Sequence, residues 1–198
     1  MNKKVTLLNE TVFSRGKLFE LVHLEQPDGR IFEIARRAPG VRLIIPDAEK
    51  HKLLLTREFR QELNNWDYRL PGGKVFDSLE EYDAFRASGD DILEAAAVKA
   101  KAESREEAGL EIKRLELFKK STLGATVEWD LFVFEVNDWR RTEIGQKLEA
   151  GEQIEADSWF TYKELERMIL EGQMQEDRVA LILLQWLHHT NHNAVGLY

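Results

Sequence analysis

The sequence contains no cysteine. That excludes disulfides, a thiol nucleophile and thiolate metal ligation. It also lacks a basic balance: 28 Lys and Arg face 36 Asp and Glu, a formal charge of −8 at pH 7. Following a nucleic-acid backbone requires clustered positive charge, so nucleic acid is not an expected partner. Long apolar runs are missing as well. The longest, Val179 to Leu187, is too short to span a bilayer. The opening stretch has two lysines and only the short run Val5-Thr6-Leu7-Leu8, which is not the core of a secretory signal. The expectation is a cytoplasmic chain with no membrane partner. No repeat or low-complexity tract is present. What remains is 198 residues, 43% of them hydrophobic, enough for one good core plus a small appendage.

Residues 1–38 read as strands. Leu18, Glu20, Val22 and Leu24 alternate with Phe19, Leu21, His23 and Glu25. Gln26-Pro27-Asp28-Gly29 is a turn in which Pro presets φ and Gly takes positive φ. Ile31 to Arg37 returns as the second arm of a hairpin. So small an antiparallel sheet is marginal alone and has to pack on the rest of the chain or on a second subunit. Ala38-Pro39-Gly40 marks the boundary between this sheet (1–39) and a main domain (40–198). Val41–Pro46, Lys52–Phe59, Ile112–Phe118, Val127–Val136 and Ala156–Phe160 read as strands, with Val127–Val136 hydrophobic enough to be central. Ser78 and Glu81 have capping-box spacing and open a helix to about Ala87, and Thr161 and Glu164 open another that Gly172 closes. Asp177 is placed to cap a final helix, Val179 to His189. Asn137 to Gln153 is polar and predicts a long loop. The mixed order of elements places the chain in the α+β or α/β class.

One helix organises the rest. Residues 94–110 are rich in Ala, Glu, Lys and Arg, and Gly109 stands where a helix ends in a left-handed residue. Leu93, Ala97, Ala100, Ser104 and Ala108 form a mostly small stripe for close packing on a sheet. Beside it, Glu103, Glu106 and Glu107 share one arc at i, i+3 and i+4. Acids in a last turn meet the negative end of the helix and repel one another. A divalent cation with oxygen ligands would relieve both effects; a solvated acidic face is the alternative.

Upstream, Leu70-Pro71-Gly72-Gly73-Lys74-Val75 is a turn where backbone can approach a ligand closely. With Glu94 and Ala102-Glu103-Ser104-Arg105-Glu106-Glu107-Ala108-Gly109-Leu110, this segment resembles the Nudix hydrolase box. Gly73 matches its first Gly and Glu94 its first Glu. Three departures stand out: about fifteen surplus residues within the box (about 77–91), Ala102 in place of the family's Arg, and Ser104 in place of an apolar residue. The resemblance implies an α/β/α sandwich, the Nudix fold, carrying the N-terminal antiparallel sheet. It implies Mg2+ (or Mn2+) held by Glu103, Glu106 and Glu107, with Glu103 also counted as catalytic. Thr56-Arg57-Glu58-Phe59-Arg60-Gln61 resembles the Gln-Phe/Tyr-Arg segment of ADP-ribose and nucleotide-sugar pyrophosphatases, which makes Arg60 and Arg57 candidate phosphate ligands. The alternative is that both pair with Glu58 or Glu62. Gly151-Glu152-Gln153-Ile154-Glu155 resembles the subfamily segment that supplies a mobile glutamate base, so Glu152 is the candidate, with Glu149 and Glu155 as rivals. Ser121-Thr122-Leu123-Gly124 resembles a Ser-Pro-Gly segment, with Leu123 where a proline marks ADP-ribose specificity.

Trp66, Tyr68 and Phe19 are candidates to stack on a base, or else core residues. His188, His189 and His192 read as cationic residues near a helix C-terminus. Lys99, one turn before Glu103, is placed to reach the glutamates in place of the missing Arg. The expected activity is hydrolysis of a nucleoside diphosphate-sugar in a homodimer, the subfamily's habit. A Nudix-fold module that binds a nucleotide sugar without cleaving it is the alternative.

Overall fold

The period-two alternation of the central strands decides the architecture. In the computed structural model, which describes residues 9–148 and 151–195 and side chains as far as Thr190, Val41, Leu43 and Ile45 turn to one side and Ile44 to the other. Leu54 opposes Leu53 and Leu55 in the same way, and Phe132 and Phe134 oppose Leu131 and Val133. Strands buried on both faces need a helix layer on each, and that is what the chain supplies.

The elements run β1 (Asn9–Arg15), β2 (Glu20–Glu25), β3 (Ile31–Arg36), β4 (Gly40–Ile44), β5 (Pro46–Asp47), β6 (Lys52–Arg60), β7 (Asn65–Arg69), α1 (Leu79–Ser88), α2 (Ile92–Ala108), β8 (Leu110–Ser121), β9 (Val127–Glu128), β10 (Leu131–Arg141), β11 (Ile154–Thr161), α3 (Tyr162–Leu170) and α4 (Asp177–Val195). One sheet has the order β4-β10-β8, with β10 parallel to β4 and antiparallel to β8. A second has the order β11-β6-β5, with β7 also on β6. The helix α2 covers one side through Ala96, Ala100 and Ala108. On the other side, α3 and α4 contribute Leu165, Met168, Val179, Ile182, Leu183 and Trp186. This is the expected α/β/α sandwich.

The N-terminal sheet, order β1-β2-β3-β9, is built differently. Every residue of β1 is exposed. Its centre is an ionic cluster: Arg36, 3% exposed, reaches Glu20 (3.3 Å), Glu10 (2.6 Å) and Glu128 (2.9 Å). Arg15 ties Glu20 to Asp83, and Arg86 meets Glu10, so α1 is clasped to this sheet.

Local chemistry sets the helix ends. Ser78 accepts from the Glu81 amide, Asp91 from the Leu93 amide, and Thr161 with Glu164 forms a full capping box. Gly109, at φ 63, ends α2. The structure differs from the sequence reading at three strands. The expected strand Val127–Val136 is two: β9 joins the N-terminal sheet, and β10 runs on to Arg141 through residues assigned to a loop. Polar residues continue β10 because β8 offers a partner, and Arg140 pairs with Glu111 across the ladder at 2.5 Å. Third, β7, carrying Trp66 and Tyr68, was not expected. Asp177 is the first residue of α4 rather than its cap. Among the described residues, no helix is long and apolar enough to cross a membrane.

Candidate active site

A cavity of about 400 Å³ opens where the Gly72-Gly73 turn meets the C-terminal half of α2. Its lining includes Gly72, Gly73, Lys99, Glu103, Glu106, Glu107 and Glu152. Residues far apart in sequence are therefore brought together, and the turn explains how. Val41 donates to the Gly73 carbonyl and Leu43 to the Pro71 carbonyl, both at 2.9 Å, so residues 71–75 lie along β4. That leaves the Gly72 amide pointing away from β4, and it donates to Glu107 Oε2 at 2.7 Å. Gly73 comes close to the same helix. A Cβ there would stand 2.7 Å from Glu103 Cδ.

The helix presents its glutamates as the spacing predicts, but they are not a solvated face. Glu103 and Glu107 are buried, 9% and 8% exposed, and Glu106 is half-buried. Burial pushes the Glu107 carboxyl up to about 8, against the pull of the Gly72 amide, and repulsion from Glu103 adds to it. Burial also raises Glu103; Lys99 opposes the shift, and repulsion from Glu106 and Glu152 reinforces it. Lys99 Nζ lies 3.2 Å from Glu103 Oε1, the contact expected of a substitute for the missing Arg. Ser104, fully buried, satisfies its hydroxyl by donating to the Leu110 carbonyl at 3.0 Å. That is how a polar residue fits the apolar position.

The end of α2 is tied to the loop that carries Glu152. The Thr142 amide donates to the Gly109 carbonyl and the Lys147 amide to the Glu106 carbonyl, both at 2.8 Å. These bonds satisfy carbonyls at the helix end. Glu152 lines the cavity; Glu155 instead pairs with Arg57 at 3.1 Å, and Glu149 lies outside the described residues.

The other candidates divide. Arg60 lines the cavity and meanwhile donates to Glu58 at 2.7 Å and to Glu62 at 3.3 Å. Arg57 and Trp66 do not line it. The Arg57 guanidinium stacks 4.6 Å from the Trp66 ring, which packs on Phe59. Tyr68 packs edge-on against Phe160. Phe19 is also outside the lining, with the Arg37 guanidinium 5.2 Å from its ring. His188 and His189 are on α4, and the side chain of His192 is outside the described residues. The cavity also holds Arg37, Arg42, Arg69 and Trp129, none of which stood out in the sequence. The signal for Arg42 was present: it interrupts the apolar run Val41 to Ile45.

As the side chains stand, no three acidic or histidine residues among the described ones form a closed metal cage. The donor chemistry nevertheless fits a hard divalent cation. Glu103, Glu106, Glu107 and Glu152 share one cavity, burial raises Glu103 and Glu107, and such an ion keeps several waters as ligands.

A model of the Nudix domain family matches residues 36–183. The chain belongs to the Nudix family of hydrolases. No curated protein sequence matches it. A solved structure described as an ADP compounds hydrolase aligns over 95% of this chain and 96% of its own, with a TM-score of 0.63 at 20% identity, and so shares its fold.

Proposed function

We propose that this protein is a Mg2+-dependent pyrophosphatase that splits the diphosphate of a nucleoside diphosphate-sugar, ADP-ribose-like, into a nucleoside monophosphate and a sugar phosphate. The observation that carries the reading is the meeting of Glu103, Glu106, Glu107 and Glu152 with arginines in one cavity. The structural neighbour named for ADP compounds supports the same class. Glu103, Glu106 and Glu107 would hold Mg2+, or Mn2+, which when bound neutralises phosphate charge and favours ionised water.

The chain's own groups do the rest. The Gly72 amide fixes the Glu107 carboxylate, and Lys99 fixes Glu103. Arg60 exchanges Glu58 and Glu62 for a phosphate oxygen. Water adds to one phosphorus, its proton passes to the Glu152 carboxylate, and the bridging P–O bond breaks. Ala102, which leaves the box without its Arg, favours a second reading: a module that binds the nucleotide sugar without turnover. Incubating the protein with magnesium and a panel of nucleotide sugars separates the two. Turnover supports the enzyme; binding without turnover supports the module. Within that panel, Glu152→Gln should lower kcat more than it weakens binding. An unchanged kcat would move the base to Glu149 or a box glutamate.

A homodimer joined through the N-terminal sheet belongs to the same proposal. Val12, Phe13, Ile31 and Phe32 are exposed there, an apolar set suited to a partner surface. Light scattering at micromolar concentration should give twice the chain mass; a monomeric mass rules it out.

A further inference from the structure

The proposed reaction uses only part of the cavity. Arg37, Arg42, Arg69 and Trp129 line the remainder. The Trp129 ring lies between two guanidiniums, Arg37 and Arg178, each 4.2 Å from its centroid. Arg42 is 8% exposed and donates to the Val41 and Gly72 carbonyls, at 3.1 and 2.5 Å. Glu176 is the cluster's central acid, 2.5 Å from Arg69, 3.5 Å from Arg42 and 3.6 Å from Arg178.

Even so, the cluster is incomplete. Arg42 Nε, Arg69 Nε and Trp129 Nε1 are shielded from solvent with no hydrogen-bond partner; Arg178 Nη2 and Glu176 Oε1 also make no hydrogen bond but face each other as an ion pair at 3.6 Å. Among the described residues these are all the buried side-chain atoms in that condition, and they belong to one cluster. A bond left unmade in a buried site is costly. With that pair set aside, the three that remain are all donors, so the missing partner is an acceptor. Burial holds Arg37, Arg42 and Arg178 below the usual arginine range, and repulsion from neighbouring arginines adds to it. In the reading above, the scissile diphosphate is answered by the glutamate-held cation and Arg60. Arg42 and Arg69 are left over.

We propose that Arg42, Arg69 and the Trp129 N–H form a second anion subsite, which takes a phosphate or carboxylate that the substrate carries in addition to its scissile diphosphate. The proposal rests on the pyrophosphatase reading and narrows its substrate class to nucleotide sugars with a third anionic group. Planar guanidinium forks suit either group.

Matched ligand pairs test it by calorimetry on the full chain, with calcium as the divalent ion. ADP-ribose is compared with ADP-ribose 2′-phosphate, and UDP-glucose with UDP-glucuronate. The member with the extra anion should bind about tenfold tighter in at least one pair, a fold-change typical of a charge-assisted bond. The pair that shows it tells phosphate from carboxylate. Trp129→Phe keeps the ring that both arginines stack on and removes only the N–H; the preference should fall about threefold, and further in Arg69→Gln. Equal affinities within both pairs overturn the subsite. A preference in binding without cleavage of either member leaves the subsite standing and removes the pyrophosphatase reading. Cleavage without preference does the reverse.

Discussion

Glu106→Gln and Glu107→Gln should each lower kcat by about tenfold or more at saturating magnesium, while the fold survives. Each replaces a carboxylate on the shared arc of α2 that lines the cavity. The two should differ in stability. In the folded chain the Glu107 carboxyl is raised to about 8 from its ordinary 4.5, with burial the main cause. Below pH 4.5 the group is protonated in both folded and unfolded chains and contributes nothing. Between pH 4.5 and 8 the unfolded chain has lost a proton that the folded chain keeps, so stability falls as pH rises. Above pH 8 the penalty is constant, on the order of a few kcal/mol. Without metal, wild-type Tm should therefore decline from about pH 5 to pH 8, and Glu107→Gln should flatten that decline and melt higher at pH 8. Glu106→Gln keeps Glu107, and with it the slope, in place. Thermal melts in a chelating buffer check the pair. Wild-type turnover in both variants would remove the metal-site assignment.

Gly72→Ala should be severely damaging for a single added methyl group. Gly72 has φ +139, a region alanine rarely adopts, and its Cβ would stand 2.9 Å from the Val41 carbonyl carbon and closer still to its oxygen. Both obstacles are backbone in the centre of the fold, so the clash cannot be relieved by a side-chain turn. A loss of roughly 3 kcal/mol or more is expected, with activity lost too, because the Gly72 amide holds Glu107. Gly73→Ala provides the contrast. Its Cβ would meet the end of the Glu103 side chain, which can move. There Tm should change little while kcat falls. Denaturant melts and initial rates on both variants distinguish strain in the frame from displacement of the Glu103 carboxylate; equal, small effects at both positions would contradict this account of the turn.

These contrasts show where the sequence was readable. Helix ends depend on side chains within three or four residues of the backbone they cap, so Ser78, Thr161 and Gly109 could be placed by spacing alone. The glutamate arc, its small-residue stripe and the Lys99 contact follow from helical period in the same way. Strand partners are not local. Nothing near Asn137-Asp138-Trp139 announces that β8 will extend β10 through them, nor that Val127-Glu128 will leave β10 for the N-terminal sheet. The arginine cluster as a whole was illegible for the same reason, although Arg42 by itself shows as a break in its apolar run. Arg42, Arg69 and Arg178 are scattered along the chain, and only the packing of β4, β7 and α4 brings them to Glu176. Trp66 and Arg57, matched by type, turn out to stack on each other outside the cavity, a packing that residue identity does not reveal.

The most direct measurement is phosphorus NMR of the purified wild-type protein with a nucleoside diphosphate-sugar, with and without magnesium. The account predicts that, only with magnesium, the diphosphate resonances vanish and two phosphate monoester resonances grow in equal amounts, with no free orthophosphate. Intact diphosphate after prolonged incubation of tightly bound substrates, or release of orthophosphate instead of two monoesters, would contradict it.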